Sequence, residues 1–84
     1  MREHIKIELV FGRYKQTRYE LSGKMGDRDT IKFSCDYPEF LFFYLERYKD
    51  NIETAEFCSN ASPIPEEMIE NVKKMKEILG DRVA

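Results

Sequence analysis

The chain is short of the residues that most chemistry needs. In 84 residues it has one histidine, His4, and two cysteines, Cys35 and Cys58. These lie far apart and lack the close ligand spacing of a zinc site, so the sequence predicts no metal centre. A Cys–His nucleophile pair needs a cysteine beside His4, yet the alternation described below sets Cys35 on the face opposite His4. The segment Gly23-Lys24-Met25-Gly26 has neither the spacing of a phosphate-binding loop nor the Ser or Thr after its lysine. No Ser-His-Asp set assembles, and Asp27 and Asp29 form a carboxylate pair of a kind common in turns. The expectation is no catalytic residue, no cofactor and no metal.

Long apolar runs are also missing. The longest is the six residues Phe40 to Leu45, against the roughly 18 that a transmembrane helix needs. The first residues, Met1-Arg2-Glu3-His4, carry a carboxylate and no apolar core of a secretory signal. A reducing, cytoplasmic setting with two free, buried thiols is therefore expected, and the glycosylation-like triplet Asn60-Ala61-Ser62 carries no meaning there. Charge of one sign is absent in bulk: 14 Lys plus Arg stand against 16 Asp plus Glu, a net of −2, with 42% apolar residues. That balance excludes disorder driven by charge. A chain of this size buries about 60–65% of its unfolded surface. One modest core fits, as a single domain over 1–84, with little room for a deep active site.

What is present is alternation, then a change of period. Residues 4–11 alternate, with Ile5, Ile7, Leu9 and Phe11 on one side and His4, Lys6, Glu8 and Val10 on the other. Gly12-Arg13-Tyr14 supplies a turn. Residues 15–22 alternate again, with Thr17, Tyr19 and Leu21 facing inward. The polar segment 23–29, with two glycines, predicts a loop. Residues 30–35 form a third run, with Ile31, Phe33 and Cys35 on the apolar side. Three such runs predict an antiparallel meander with one buried face. At Asp36-Tyr37-Pro38-Glu39 the spacing of Asp and Glu resembles a capping box, and a proline suits a first turn. A helix is predicted from Pro38 to Lys49, with a stop at Asp50-Asn51. Residues 52–58 read as a fourth strand, placed beside the first by a crossover. After a proline-containing connector, a second helix spans Glu66 to Leu79 and ends at Gly80. Its stripe of Met68, Ile69, Val72, Met75, Lys76 and Leu79, bordered by Ile78, reads as core. The predicted class is α+β, in the order βββαβα, with a three-stranded meander, a fourth strand and two helices on one face.

The charge is divided unevenly, +3 over residues 1–33 and −5 over residues 34–84. Much of this contrast is helix chemistry. Glu66, Glu67 and Glu70 open the second helix, Lys73, Lys74 and Lys76 follow, and Glu70–Lys74 is a favourable pair. Glu46, Asp50, Glu53 and Glu56 remain as an acidic edge suited to a partner. Arg13, Tyr14, Arg18, Lys24 and Arg28 are the basic and aromatic candidates for a nucleotide or nucleic acid. Their two turns lie about 20–25 Å apart along the meander. Lys6, Arg18 and Lys32 share the wet face and link them, with Glu8 and Glu20 interleaved.

The belt Phe40-Leu41-Phe42-Phe43-Tyr44-Leu45 is the most informative feature. A helix on one side of a sheet needs an apolar stripe, not a belt. If Leu41, Tyr44, Leu45 and Tyr48 face the sheet, Phe42 and Phe43 point elsewhere. They are then covered by the second helix, covered by another chain, or exposed. Aromatic rings are enriched at interfaces. The sequence therefore reads as a non-enzymatic protein-interaction module, as a homodimer or with a protein partner, in the manner of phage and mobile-element inhibitors of host proteins. The alternative is a nucleotide- or nucleic-acid-binding protein using the basic residues of the meander. Neither reading involves a membrane.

Overall fold

A computed structural model describes residues 2–12, 14, 16–25, 27–60 and 63–83. The elements are β1 (Glu3–Phe11), β2 (Thr17–Met25), β3 (Arg28–Cys35), α1 (Pro38–Tyr48), a 3-10 turn (Lys49–Asn51), β4 (Ile52–Ser59), α2 (Glu66–Leu79) and a final 3-10 turn (Gly80–Arg82). They form a mixed sheet in the order β3-β2-β1-β4. The first three strands are an antiparallel meander, and β4 runs parallel to β1 at its free side. The predicted α+β order βββαβα holds, and residues 52–58 lie within a strand.

The alternation in β1 and β2 decides which face is buried. Ile5, Ile7, Leu9, Tyr19 and Leu21, with Ala55 of β4, form one cluster with Leu41 and Leu45 of α1 and Met68, Met75 and Leu79 of α2. Each large side chain fully buried there contributes about 1.5–3 kcal/mol. Both helices feed this one core. The other sheet face carries His4, Lys6 and Glu8, with Arg18 and Glu20 alongside.

Three local features depart from the predicted ones. First, the expected loop over 23–29 is mostly strand, since Gly23, Lys24 and Met25 pair with Thr30, Asp29 and Arg28. Gly23 is buried within β2. A Cβ at that position would sit 2.7 Å from Cε of Lys32. The glycine thus leaves a track for the Lys32 stem, whose Nζ reaches the Glu3 carboxylate at 2.5 Å.

Second, the β2–β3 register shifts. Phe33 lies opposite Leu21, but Ile31 lies opposite Ser22, so Lys32 is the extra residue of a bulge. Phe33 and Cys35 keep the core side, while Ile31 turns out and is 60% exposed. Ile31 was expected to face inward with Phe33. Lys32 was expected on the wet face with Lys6 and Arg18, and instead lies over Gly23 on the helix side.

Third, Asp36 does not cap α1. The N-cap residue is Tyr37, with no side-chain cap bond, and Pro38 begins the helix. Proline at this position needs no partner for a missing N–H and presets φ, which accounts for the start without a capping side chain. α2 ends as expected at Gly80, whose φ of +59° suits glycine and whose N–H bonds to the Lys76 carbonyl.

The end of the described chain folds back on β4. Arg82 Nε donates to the Ile52 carbonyl at 3.0 Å, and Val83 forms a parallel bridge with Ala55. The outer side of β4 is thereby partly occupied. Asn60 ties the next connector to β1, accepting from Phe11 N–H at 2.8 Å and donating to its carbonyl at 3.3 Å. Among the described residues no helix is long and apolar enough to cross a membrane.

Candidate functional site

In α1 the helical period turns Leu41 and Leu45 fully into the core. The rest of the apolar belt has no room there. Phe40 is 56% exposed and Phe43 is 64% exposed. Phe42 is half-buried against α2, with Lys74 Nζ 4.9 Å above its ring. Of the fates open to the belt, cover by α2 falls to Phe42 and exposure to Phe43. These two rings, with Glu46, Lys74, Glu77 and Ile78, border a groove of about 420 Å³ between α1 and α2.

On its other flank α1 carries a ladder of rings. Phe40 meets Phe33 of β3 edge-on at 5.3 Å and 84°. Phe33 meets Tyr44 at 5.0 Å, and Tyr44 meets Tyr48 at 4.7 Å. Arg47 stacks 5.7 Å above Tyr48. Tyr44 is half-buried, but Tyr48, expected against the sheet, stays exposed on this flank; Tyr37, just before α1, is exposed as well. Edge-to-face rings favour one another by about 0.5–1.5 kcal/mol beyond their buried area, so the ladder steadies Phe40 and Tyr48, while Phe43 lies outside it. The expectation built on the belt named Phe42 and Phe43 and passed over Phe40. The spacing Phe40, Phe43, Arg47 (i, i+3, i+7) was the signal that these residues share an outward face.

The four acidic residues expected to form one edge are dispersed. Glu46 lies on α1, 4.0 Å from Lys49. Asp50 sits in the following turn, 3.7 Å from Arg82. Glu53 lies 4.0 Å from His4, and Glu56 stands in register with Lys6 on the polar sheet face. Exposed pairs of this kind contribute about 0–1 kcal/mol each. Only Glu46 joins the aromatic surface.

The basic candidates are likewise spread out. Arg18 pairs with Glu20 at 3.0 Å and shares a cleft of about 410 Å³ with Gln16 and Asp36. Lys24 lies about 20 Å along β2 from Arg18. Arg28 pairs with Met25 and Lys24 with Asp29, so alternation puts Arg28 and Lys24 on opposite faces. Tyr14 is exposed at the first turn, and Arg13 lies outside the described residues. Tyr19, the other ring among arginines, is buried and accepts a hydrogen bond from Asn71 Nδ2 at 2.8 Å. It packs in the core rather than offering a stacking platform.

The cysteines stand on opposite edge strands of the sheet, three strand spacings or about 14 Å apart, so no disulfide links them. Both thiols are half-buried rather than fully buried. Burial is the main cause that pushes each above the usual thiol range, which keeps them protonated and weakly nucleophilic. His4 hydrogen-bonds with the Thr54 hydroxyl. Cys58 lies four residues further along β4, so no Cys–His pair forms. Among the described residues no three His, Cys, Asp or Glu side chains cluster as metal ligands would.

No family model, no curated protein and no solved structure matches the chain.

Proposed function

We propose that the chain is a non-enzymatic interaction module that binds a protein surface, either a partner's or that of a second copy, through the outward face of α1. One observation carries the reading. Of the eight large apolar side chains exposed among the described residues, Tyr37, Phe40, Phe43 and Tyr48 all come from α1 and its first flanking residue. Exposed aromatic rings grouped on one helix are the usual anchors of protein interfaces, where aromatic side chains are enriched. The dispersed acids and bases supply rim charges rather than a field of one sign. An inhibitor that occupies a host protein's surface, as mobile elements encode, is one form of such a module. The same reading puts the protein in the cytoplasm, where free thiols stay reduced.

The test compares the native chain with Phe40→Asp/Phe43→Asp and with Arg18→Glu. Each is measured by light scattering after size exclusion and by affinity capture from the native source. Phe43 is 64% exposed, while Phe40 gives up its edge contact with Phe33, worth about 0.5–1.5 kcal/mol, so the double variant is expected to fold with stability lowered by about 0.5–2 kcal/mol. It should lose partner capture or dimer mass, while Arg18→Glu retains them and binding barely responds to salt. Equal capture and mass in the double variant would overturn the reading. Binding that falls steeply with salt and disappears in Arg18→Glu would favour the nucleotide or nucleic-acid alternative instead.

A further inference from the structure

A second groove lies on the other side of α2, between that helix and β4. It measures about 470 Å³ and is lined by Phe57, Ile64, Ile69 and Val72, with Leu9 beneath and Lys73 and Lys76 along one side. Ile69, Val72, Lys73 and Lys76 follow the spacing i, i+3, i+4, i+7, so one face of α2 presents two apolar and two cationic groups together. The sequence assigned Ile69 to the core, yet it is 41% exposed, and Ile64 is exposed as well. They belong to the groove.

The two lysines differ. Lys73 is engaged by Glu70 at 3.6 Å. Lys76 has no carboxylate within 4.0 Å among the described residues, and its Nζ stands 5.7 Å from the centre of the Phe57 ring. A cation at the edge of an apolar groove, not engaged in an ion pair, complements one negative head group attached to an apolar tail. The lining decides between classes of occupant. Among the described residues, two lysines and no carboxylate stand with the apolar groups of this groove, whereas Glu46 and Glu77 border the groove of similar size between α1 and α2. Its volume falls within the roughly 300–1,000 Å³ of small-molecule sites.

We propose that this groove binds a free single-chain fatty-acid-like carboxylate, its tail along Phe57, Ile69 and Val72 and its head group at Lys76. The site is separate from the α1 surface, whose contributions from α2 are Lys74, Glu77 and Ile78.

Calorimetric titration of the full chain with decanoate tests the assignment, with decyltrimethylammonium as a ligand of the same tail and opposite charge. Saturable decanoate binding at one site is expected, with the cationic amphiphile binding far more weakly. Lys76→Glu should weaken decanoate by about tenfold or more, the loss that accompanies removal of a charged contact. Ile69→Asp, at an exposed position, should abolish binding with the circular dichroism spectrum unchanged, and Phe43→Asp should bind as the native chain does. Equal binding of both amphiphiles, an unaltered affinity in Lys76→Glu, or no decanoate binding up to about 1 mM would overturn the proposal. So would Lys76-dependent binding to phosphatidylglycerol/phosphatidylcholine vesicles without binding of free decanoate, which would assign the lysine to a lipid surface.

Discussion

Tyr19 shows how far a single residue can be read in advance. Alternation put it on the apolar side of its strand, and it is buried to 2% exposure. The partner of its hydroxyl was not legible, because Asn71 lies 52 residues away on α2. Burial, only partly offset by that hydrogen bond, pushes the phenol above its usual range. Burial does the same to both thiols. For these neutral acids the folded chain holds the proton more tightly than the unfolded chain. Their contribution is therefore complete below the unfolded values and is lost as pH rises through them, from about 8.5 for thiols and about 10 for tyrosine. Lys6, raised chiefly by its hydrogen bond to Asp29, likewise loses its paired form at high pH. Urea unfolding followed from neutral pH upward should show stability falling above about pH 8.5. In Cys35→Ser/Cys58→Ser the fall should begin only near the tyrosine range. An unchanged pH profile in that double variant would remove the thiols from the account.

At the scale of elements the bulge in β3 is the decisive detail. Alternation alone continued Ile31 inward beside Phe33, and nothing local marks Lys32 as the extra residue. The bulge depends on non-local partners: Gly23 without a side chain, and Glu3 two strands away to take the ammonium. It also breaks the regular row of an edge strand, because residues on its two sides cannot meet a second copy of β3 with matching faces. Bulges protect edges in this way. Deleting Lys32 should leave Ile31 and Phe33 on their present faces but make the edge regular. Sedimentation velocity should then show concentration-dependent oligomers that the native chain does not form by this route. A deletion variant that sediments as the native chain does would show that the bulge has no protective part.

At the scale of the molecule the two sheet edges are treated differently. The β3 edge is bent by its bulge, and the β4 edge is partly covered by residues 82 and 83. Arg82 closes that side through the Ile52 carbonyl and a further bond to the Leu79 carbonyl at 3.3 Å. Arg82→Ala should cost about 1–2 kcal/mol, as a hydrogen bond to a charged donor is lost, and should speed amide exchange along β4. Asp50→Asn should change little, since the Asp50 side chain is 91% exposed. Equal exchange along β4 in Arg82→Ala would assign the edge closure to Val83 alone.

Class, order of elements, the second helix span, the first to within a residue of its end, and most of the core were legible in the chain's own pattern, because strand alternation and helical period are local consequences of backbone geometry. That pattern also pointed to α1 as having more ring surface than one face can bury. Which rings stay outside, how the acids and bases scatter into separate pairs, and the meeting of Ile69 and Lys76 with Phe57 in a groove came from the folded arrangement. Those outcomes depend on strand order, register and the position of α2 against β4. Each is a contact between residues far apart in the chain, which no local pattern specifies.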